Sequence, residues 1–119
     1  MDLVQAIAAR RAQFLVQREA EGIQSLIQHS QAHIDEGTVR KNKDGTVTTV
    51  FTIGVQDKRL NDGRETIIPK FWNGKEVSHK EAVEFALQSG KTWPSGDSIE
   101  EAHAVDQYAH SFINKQEIK

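Results

Sequence analysis

The sequence has no cysteine, only two prolines and no long apolar run. The absence of cysteine excludes disulfides, thiolate zinc sites and a cysteine nucleophile. No segment approaches the roughly 18 consecutive apolar residues that a membrane-spanning helix needs. Arg10 and Arg11 interrupt the apolar stretch that a signal peptide would require, so we expect synthesis in the cytoplasm without secretion by that route.

The sequence signatures of common enzymes are also missing. The chain has no Gly-x-Ser-x-Gly segment, no phosphate-binding glycine loop and no dinucleotide fingerprint. Glu100 and Glu101 form an acidic pair, but they lie at a predicted helix start, where the helix dipole already favours negative charge. We therefore expect a protein without enzymatic activity, with no catalytic residue, no cofactor and no bound metal.

What remains is a chain of one-domain size with nearly balanced charge. It has 119 residues, of which 37 % are apolar and 27 % charged, with a formal net charge of -2 and a mean hydropathy of -0.58. This balance gives no general bias toward nucleic acid. The low apolar share is typical of a small core with much solvated helix, or of apolar surface that a partner covers.

Residues 2–36 predict a long amphipathic helix. Spacings of three, four and seven residues place the apolar side chains on a stripe, and Gly37 is a suitable C-terminal stop. The stripe shifts near Gly22, which permits one bent helix or two helices that meet there; we favour the single helix. A domain of this size is too small to bury a long, narrow apolar stripe completely. We therefore assign residues 1–36 as a docking helix, whose stripe packs partly against another chain. Its predicted docking residues are Leu3, Ile7, Phe14, Ile23, Ile27 and Ile34.

Residues 38–72 predict β-strands. Asp44-Gly45 marks a hairpin turn between a strand at 38–41 and a longer one at 46–55. Alternation along the longer strand predicts that its odd-numbered residues are buried and that its other face is mostly threonine. Later signals are a turn at Asn61–Gly63, a short third strand at Thr66–Ile68 that ends at Pro69, and a tight turn at Asn73-Gly74.

Two short helices are predicted after the strands. Ser78 with Glu81, and Ser98 with Glu101, match the capping box, in which serine accepts from the amide three residues on and glutamate reaches back. Gly90 ends the first of these helices. The predicted fold is therefore α+β, with a long N-terminal helix, a small antiparallel sheet of about three strands and two short C-terminal helices. We assign residues 37–113 to this αβ module and residues 114–119 to a frayed tail.

Two groups of histidines have spacings that suit metal ligands. His103, Asp106 and His110 share a helix face, but the two histidines are two turns apart, so we interpret this group as a solvated polar face. His29 and His33 are four residues apart, but no third ligand is evident nearby. We interpret this pair as part of a solvated face or a partner contact.

Basic and aromatic residues provide further candidates for binding. Arg40, Lys41 and Lys43 cluster beside the predicted hairpin turn, where they can contact DNA phosphates, although lysines on a strand edge more often prevent edge pairing. Phe71-Trp72 either forms an exposed aromatic anchor for a partner or caps the core of the sheet. We include Phe71 and Trp72 among the candidate docking residues.

Three segments occur in an order that is similar to a known family. They are a hairpin segment at Asn42–Val50, an Ile-Pro segment at Ile67–Val83 with Asn-Gly-Lys and Ser-x-x-Glu-Ala, and a segment at Trp93–Ala109 with Pro-Ser-Gly-Asp-Ser-Ile-Glu-Glu-Ala and Tyr-Ala. This set resembles a module that recurs in virion proteins of tailed phages and prophages. The resemblance covers roughly Arg40 to Phe112.

The resemblance implies a non-enzymatic minor structural protein of a tailed-phage virion, such as a capsid–tail adaptor, a decoration protein or an ejection-associated component. It implies docking to other virion proteins, in several copies or as a homo-oligomer, and it transfers no catalytic residue. Two alternatives stay open. One is an accessory module of a virion peptidoglycan hydrolase, and the other is a DNA-contacting packaging or ejection factor that uses Arg40, Lys41 and Lys43.

Overall fold

The computed structural model describes residues 10, 13–37, 40–41, 47–48 and 51–117, with the side chains of 40–41, 47–48 and 113–117 outside that description. It confirms the predicted α+β class with a small antiparallel sheet of three strands. The helices are α1 (13–18), α2 (Ala20–Glu36), α3 (His79–Gln88) and α4 (Ile99–Glu117). The strands are β1 (Arg40–Lys41), β2 (Val47–Thr48), β3 (Thr52–Val55), β4 (Glu65–Pro69), β5 (Phe71–Trp72), β6 (Lys75–Glu76) and β7 (Ser95–Gly96).

Helices α1 and α2 follow each other with an interruption at Glu19. This residue has φ -101° and ψ 15°, yet its N–H donates to the Leu15 carbonyl and the Ile23 N–H donates to its carbonyl, both at 2.9 Å. The favoured interpretation of one helix with a local irregularity therefore agrees with the described residues, but the irregular residue is not Gly22. Gly22 lies inside α2, and Gly37, at φ 71°, ends that helix as predicted.

Gly22 allows the backbone of α2 to approach another backbone segment closely, and it does not interrupt the helix. A Cβ atom built on it would lie 2.6 Å from Pro94 Cα and 2.6 Å from the Trp93 carbonyl carbon. No side chain fits into that space, so glycine alone lets α2 lie directly against residues 93–96. Those residues connect α3 to α4, and we call them the connector.

The three-stranded sheet has the order β3-β4-β7, with all neighbours antiparallel. Its central strand, β4, buries Ile67 and Ile68. Strand β7 was not predicted. Trp93 is buried, and Ser95 and Gly96 pair with β4 as an edge strand. The Ile67 N–H finds its acceptor in the Pro94 carbonyl, at 2.8 Å.

The long strand predicted at 46–55 is divided in the structure. Strand β2 pairs with β1, whereas β3 starts at Thr52 and pairs with β4; residues 49–50 and the turn at 42–46 lie outside the described residues. Phe51, expected to be buried, is exposed, while Ile53 and Val55 are half-buried. On the other face, Thr52 is half-buried and its hydroxyl bonds to Asp106 of α4.

Turns and helix caps largely follow the sequence signals. Asn73 and Gly74, at φ 54° and 83°, close the hairpin of β5 and β6. Ser78 Oγ accepts from the Glu81 N–H and Glu81 returns the bond, both at 3.1 Å, which confirms that capping box. At α4, Ser98 caps Glu101 as predicted, but the Glu101 carboxylate accepts from the Asp97 N–H instead.

Helix α2 and the αβ module share one core. Ile23 and Leu26 of α2 belong to the same buried cluster as Ile68, Trp93 and Val105. The boundary drawn at residues 36 and 37 is therefore not a boundary in packing. The boundary at 113 is also not an element boundary, because α4 continues to Glu117 and most of the predicted frayed tail is helical.

Replacing Gly22 with alanine should destabilise the protein, although the same change in an open helix stabilises it by about 1 kcal/mol. The added methyl group must displace backbone atoms of Trp93 and Pro94, so we expect Gly22→Ala to lower the free energy of unfolding by about 1–3 kcal/mol. Urea denaturation measures this change. The control, Gln28→Ala on the exposed side of α2, should change it by less than about 0.5 kcal/mol. A Gly22→Ala protein as stable as the wild type would contradict the close contact.

Candidate functional site

The described surface has an apolar groove between α2 and α4. Its main cavity has a volume of about 310 Å³, and a second cavity of about 140 Å³ shares Val16 and Tyr108 with it. None of the residues that line the main cavity carries a formal charge. These groove residues are Val16, Ala20, Ile23, Gln24, Ile27, Tyr108 and Phe112.

Large aromatic side chains remain exposed at the groove. Tyr108 and Phe112 are 39 % and 40 % exposed, and their rings meet edge to face with centroids 5.1 Å apart. Phe14 of α1 is 61 % exposed, with the Arg18 guanidinium 5.9 Å from its ring centroid, but it does not line either cavity. Single exposed apolar residues are ordinary, but an apolar patch of several marks a contact surface.

Two stretches of the helices that form the groove are also depleted of charge. Residues 22–34 of α2 contain no aspartate, glutamate, lysine or arginine, and neither do residues 107–114 of α4. Charged residues make up 27 % of the whole chain, so both stretches depart from its average. Depletion of charge around aromatic residues is characteristic of the core of a protein–protein interface.

Another opening of about 400 Å³ lies along α3, and its character is different. Its lining includes Lys80, Glu81 and Glu84 beside Phe85. Covering it would remove charged groups from water, which is costly unless each finds a partner. The groove between α2 and α4 is therefore the better candidate for a contact surface, although its volume is smaller.

A buried carboxylate fixes the beginning of α2 beside the connector. Glu19 accepts hydrogen bonds from the backbone N–H and the hydroxyl of Ser95, at 2.9 and 3.2 Å. Arg18 Nε donates to the other carboxylate oxygen at 2.9 Å. With these partners a buried glutamate is stabilised rather than costly. The result is that α1 and α2 are held against the strand that leads into α4.

A second polar cluster fixes the opposite side of α4. The Thr52 hydroxyl donates to the Asp106 carboxylate at 3.0 Å, and His110 Nε2 lies 3.1 Å from Thr52 Oγ1 and 3.2 Å from Asp106 Oδ1. In a catalytic relay of nucleophile, histidine and acid, each imidazole nitrogen bonds to a different neighbour. Here the same nitrogen, His110 Nε2, faces both Thr52 and Asp106. The cluster thus joins β3 to α4. Of the three residues predicted to form a solvated face, Asp106 and His110 take part in this cluster, whereas His103 is exposed.

His29 and His33 lie inside the fold rather than on a solvated face. His29 Nε2 donates to the Phe71 carbonyl at 2.6 Å, and His33 Nδ1 donates to the His29 carbonyl at 3.0 Å. The His29 ring packs edge-on against Trp72, with centroids 4.5 Å apart. Among the described residues, no group of three or more histidine, aspartate or glutamate side chains is arranged to hold a metal ion.

The predicted docking residues fall into separate environments. Phe71 is buried within the chain itself, and Ile23 is buried although it lines the groove. Ile27 lines the groove, Phe14 is exposed on α1 but does not line the groove, and Ile34 is half-buried at the end of α2. Trp72 is half-buried and stacks on Phe85, with centroids 5.4 Å apart. Leu3 and Ile7 lie outside the described residues.

The contribution of α4 to this surface was not predicted. Neither Tyr108 nor Phe112 was among the predicted docking residues. The helix buries Ala102, Val105 and Ala109, whereas Tyr108 and Phe112 lie to one side at an i, i+4 spacing. The apolar residues of α4 form a stripe wider than the face that packs on the core. This width was the sequence signal that part of the stripe remains uncovered.

The basic residues proposed to contact DNA are only partly described. Arg40 and Lys41 lie in β1, but their side chains, and Lys43 altogether, lie outside the description. In the following loop, Arg59 pairs with Asp57 and Glu84 at 2.9 and 3.2 Å, and Arg64 pairs with Asp97 at 2.9 Å. These carboxylates compete with phosphate for both arginines.

Comparisons of the chain with known protein families, with curated proteins and with solved structures find no match. Within the described ranges, no helix has the length and apolar character needed to cross a membrane.

The buried His29 predicts that acid destabilises the protein. Burial lowers the pKa of His29 from its ordinary value of 6.5 to about 4, with smaller effects from the Phe71 carbonyl, His33 and Lys91. Between these pH values the unfolded chain binds a proton that the folded chain does not. Stability is therefore present above pH 6.5 and falls toward pH 4, by about 3 kcal/mol from this residue.

Urea denaturation at several pH values checks this effect. We expect His29→Gln, which keeps a donor for the Phe71 carbonyl, to lose less stability between pH 7 and pH 4 than the wild type does. The exposed His103→Gln is the control and should follow the wild-type pH dependence. Equal pH dependence in His29→Gln and the wild type would contradict the effect.

Proposed function

We propose that this chain is a non-enzymatic minor structural protein of a tailed-phage particle, present in several copies, and that it assembles through the groove between α2 and α4. The observation that carries the assembly role is an apolar cavity with exposed aromatic residues in uncharged surroundings. The resemblance of residues 40–112 to a recurring virion module supports the particle setting.

The groove offers enough apolar surface for a specific contact. Tyr108 and Phe112 are about two-fifths exposed, and burying a fully exposed large apolar side chain contributes roughly 1.5–3 kcal/mol. Association costs at least about 4 kcal/mol in lost freedom of motion, so the two rings supply part of the gain and the rest of the groove lining must supply the remainder. Several copies in a particle would strengthen such a contact by multivalency.

The polar clusters of the described fold favour a structural role over the two alternatives. Glu19, Asp106 and His29 are each engaged in bonds that join one element to another. Arg59 and Arg64 are paired with carboxylates, which makes these two arginines less available to DNA phosphates.

The docking role is tested with Tyr108→Asp combined with Phe112→Asp, in a phage or prophage that encodes the chain. Both side chains are exposed, so the double variant should fold with a wild-type circular dichroism spectrum, but an acidic group in the contact should exclude it from particles. Mass spectrometry of purified particles measures incorporation. Ile23 is unsuitable for this test, because it is buried and its replacement would report on folding.

Ile99→Asp is the matched control. Ile99 is 68 % exposed at the first residue of α4, where a negative charge is favourable, and it does not line the groove. This variant should enter particles as the wild type does. Absence of the wild-type chain from particles would contradict the proposed function, and normal incorporation of the double variant would contradict the role of the groove.

A further inference from the structure

We infer that the contact between the last turns of α2 and the hairpin of β5 and β6 opens in acid, when His29 takes up a proton, and thereby uncovers Phe71 and Trp72. We call this contact the joint. The rest of the fold stays assembled when the joint opens. The inference goes beyond the proposed function, because none of these residues lines the groove between α2 and α4.

The joint consists of two imidazole rings of α2 and two aromatic rings of β5. His29 Nε2 donates to the Phe71 carbonyl at 2.6 Å, and the His29 ring lies edge-on to Trp72, with centroids 4.5 Å apart. The centroids of the His33 and Phe71 rings are 5.0 Å apart. His29, His33 and Phe71 are all buried. The hairpin thus covers the side of α2 that carries both histidines.

The hydrogen bonding of His29 suits a neutral ring. Because the Phe71 carbonyl can only accept, Nε2 carries the one proton of the neutral imidazole and Nδ1 carries none. Within the described part of the chain, no hydrogen-bond acceptor is available to Nδ1. A proton added to Nδ1 would therefore be buried without a partner, which destabilises the closed joint.

The charged groups near His29 also disfavour its protonation. The His33 ring, one turn further along α2, lies 4.7 Å from the His29 ring between centroids. Lys91, in the segment that follows α3, acts on His29 in the same direction. Lysine is a cation at neutral pH and histidine becomes one in acid. A protonated His29 would thus be repelled by both neighbours.

The other elements that pack against the joint present rings to His29. Trp72 of the hairpin and Trp93 of the connector lie edge-on to it, with centroids 4.5 and 6.3 Å away. Helix α3 reaches the joint through Phe85, which stacks on Trp72. The charged residues of β6, Lys75 and Glu76, are exposed to solvent. Water that enters an open joint is therefore the environment that accommodates the imidazolium best.

The hairpin is able to leave α2 while the core remains intact. Strands β5 and β6 pair with each other in a sheet that is separate from β3, β4 and β7, and residues 73–76 are exposed. Helix α2 is held elsewhere, by Gly22 and Glu19 at the connector, and Gly22 is about two turns from His29. Opening the joint therefore breaks the contacts of the hairpin without breaking that junction.

The pH dependence of the opening follows from the two states of His29. Burial in the closed joint holds the pKa of His29 at about 4, and exposure to water in the open joint returns it to 6.5. Opening therefore takes up a proton between these pH values, so it becomes more favourable as the pH falls from 6.5 toward 4. From pH 7 to pH 5 the equilibrium constant for opening should rise by about 20-fold.

Hydrogen exchange at the two indole N–H groups, measured by NMR on the full chain, tests the inference. Trp72 Nε1 donates to the Pro69 carbonyl beside the joint, and Trp93 Nε1 donates to the Ala86 carbonyl in the core. Each exchange rate is divided by the rate of a free indole at the same pH to give a protection factor. Local opening exposes little surface, so urea hardly affects it.

We expect Trp72 to be less protected than Trp93, to keep its protection factor in low urea, and to lose it by about 20-fold between pH 7 and pH 5. If both indoles have the same protection factor and the same dependence on urea, only global unfolding exposes Trp72, and the inference is overturned. This comparison uses the wild-type chain and stays decisive whether or not a variant folds.

His29→Gln and His103→Gln identify the group that takes up the proton. Glutamine keeps a donor for the Phe71 carbonyl but does not titrate, so in His29→Gln the protection of Trp72 should change by less than about 3-fold between pH 7 and pH 5. The exposed His103→Gln is the matched control and should retain the fall of about 20-fold. A fall of the wild-type size in His29→Gln would overturn the role of His29 and with it the inference.

Discussion

Helix α2 lies against the connector backbone to backbone, because Gly22 has no side chain to separate them. Three residues earlier, the buried Glu19 accepts two hydrogen bonds from Ser95. Ser95 and Gly96 form β7 on the edge of the sheet, directly before α4 begins. One junction therefore joins α2, the sheet and α4, and the two walls of the groove take their positions from it.

Polar and charged residues are distributed in a way that leaves the groove easy to cover. The buried polar residues bond to specific partners: Glu19 to Ser95, His29 to the Phe71 carbonyl, and Thr66 to the Arg64 carbonyl. Exposed charges pair with each other on other parts of the surface, as Arg59 does with Asp57, where hydrogen bonds from Arg59 hold the pKa of that carboxyl at about 2. Covering the groove would remove apolar area from water without removing the hydration of an ion.

Local features of the fold were predictable where a few neighbouring residues decide the conformation. Gly37 ends α2, Asn73-Gly74 closes a hairpin and Ser78 caps α3, as their residue types indicate. The strand predicted at 46–55 was wrong in extent, because the contact of Thr52 with α4 and the pairing of β3 with β4 define a separate strand from Thr52. Strand β7 had no sequence signal, since serine and glycine do not favour strands; pairing with β4 forms it.

The sequence by itself determined the end of α2 at Gly37, the cap of α3 at Ser78, the turn at Asn73-Gly74, the apolar stripes and the two uncharged stretches, because each depends on residues close together in the chain. Only the tertiary structure decided which part of each stripe is covered. Ile23 and Phe71 are buried by other parts of the chain, whereas Tyr108 and Phe112 remain exposed beside α2. The reason is that burial depends on contacts between distant segments, such as Thr52 with Asp106 and Glu19 with Ser95, which are 54 and 76 residues apart, and periodicity within one helix carries no information about them.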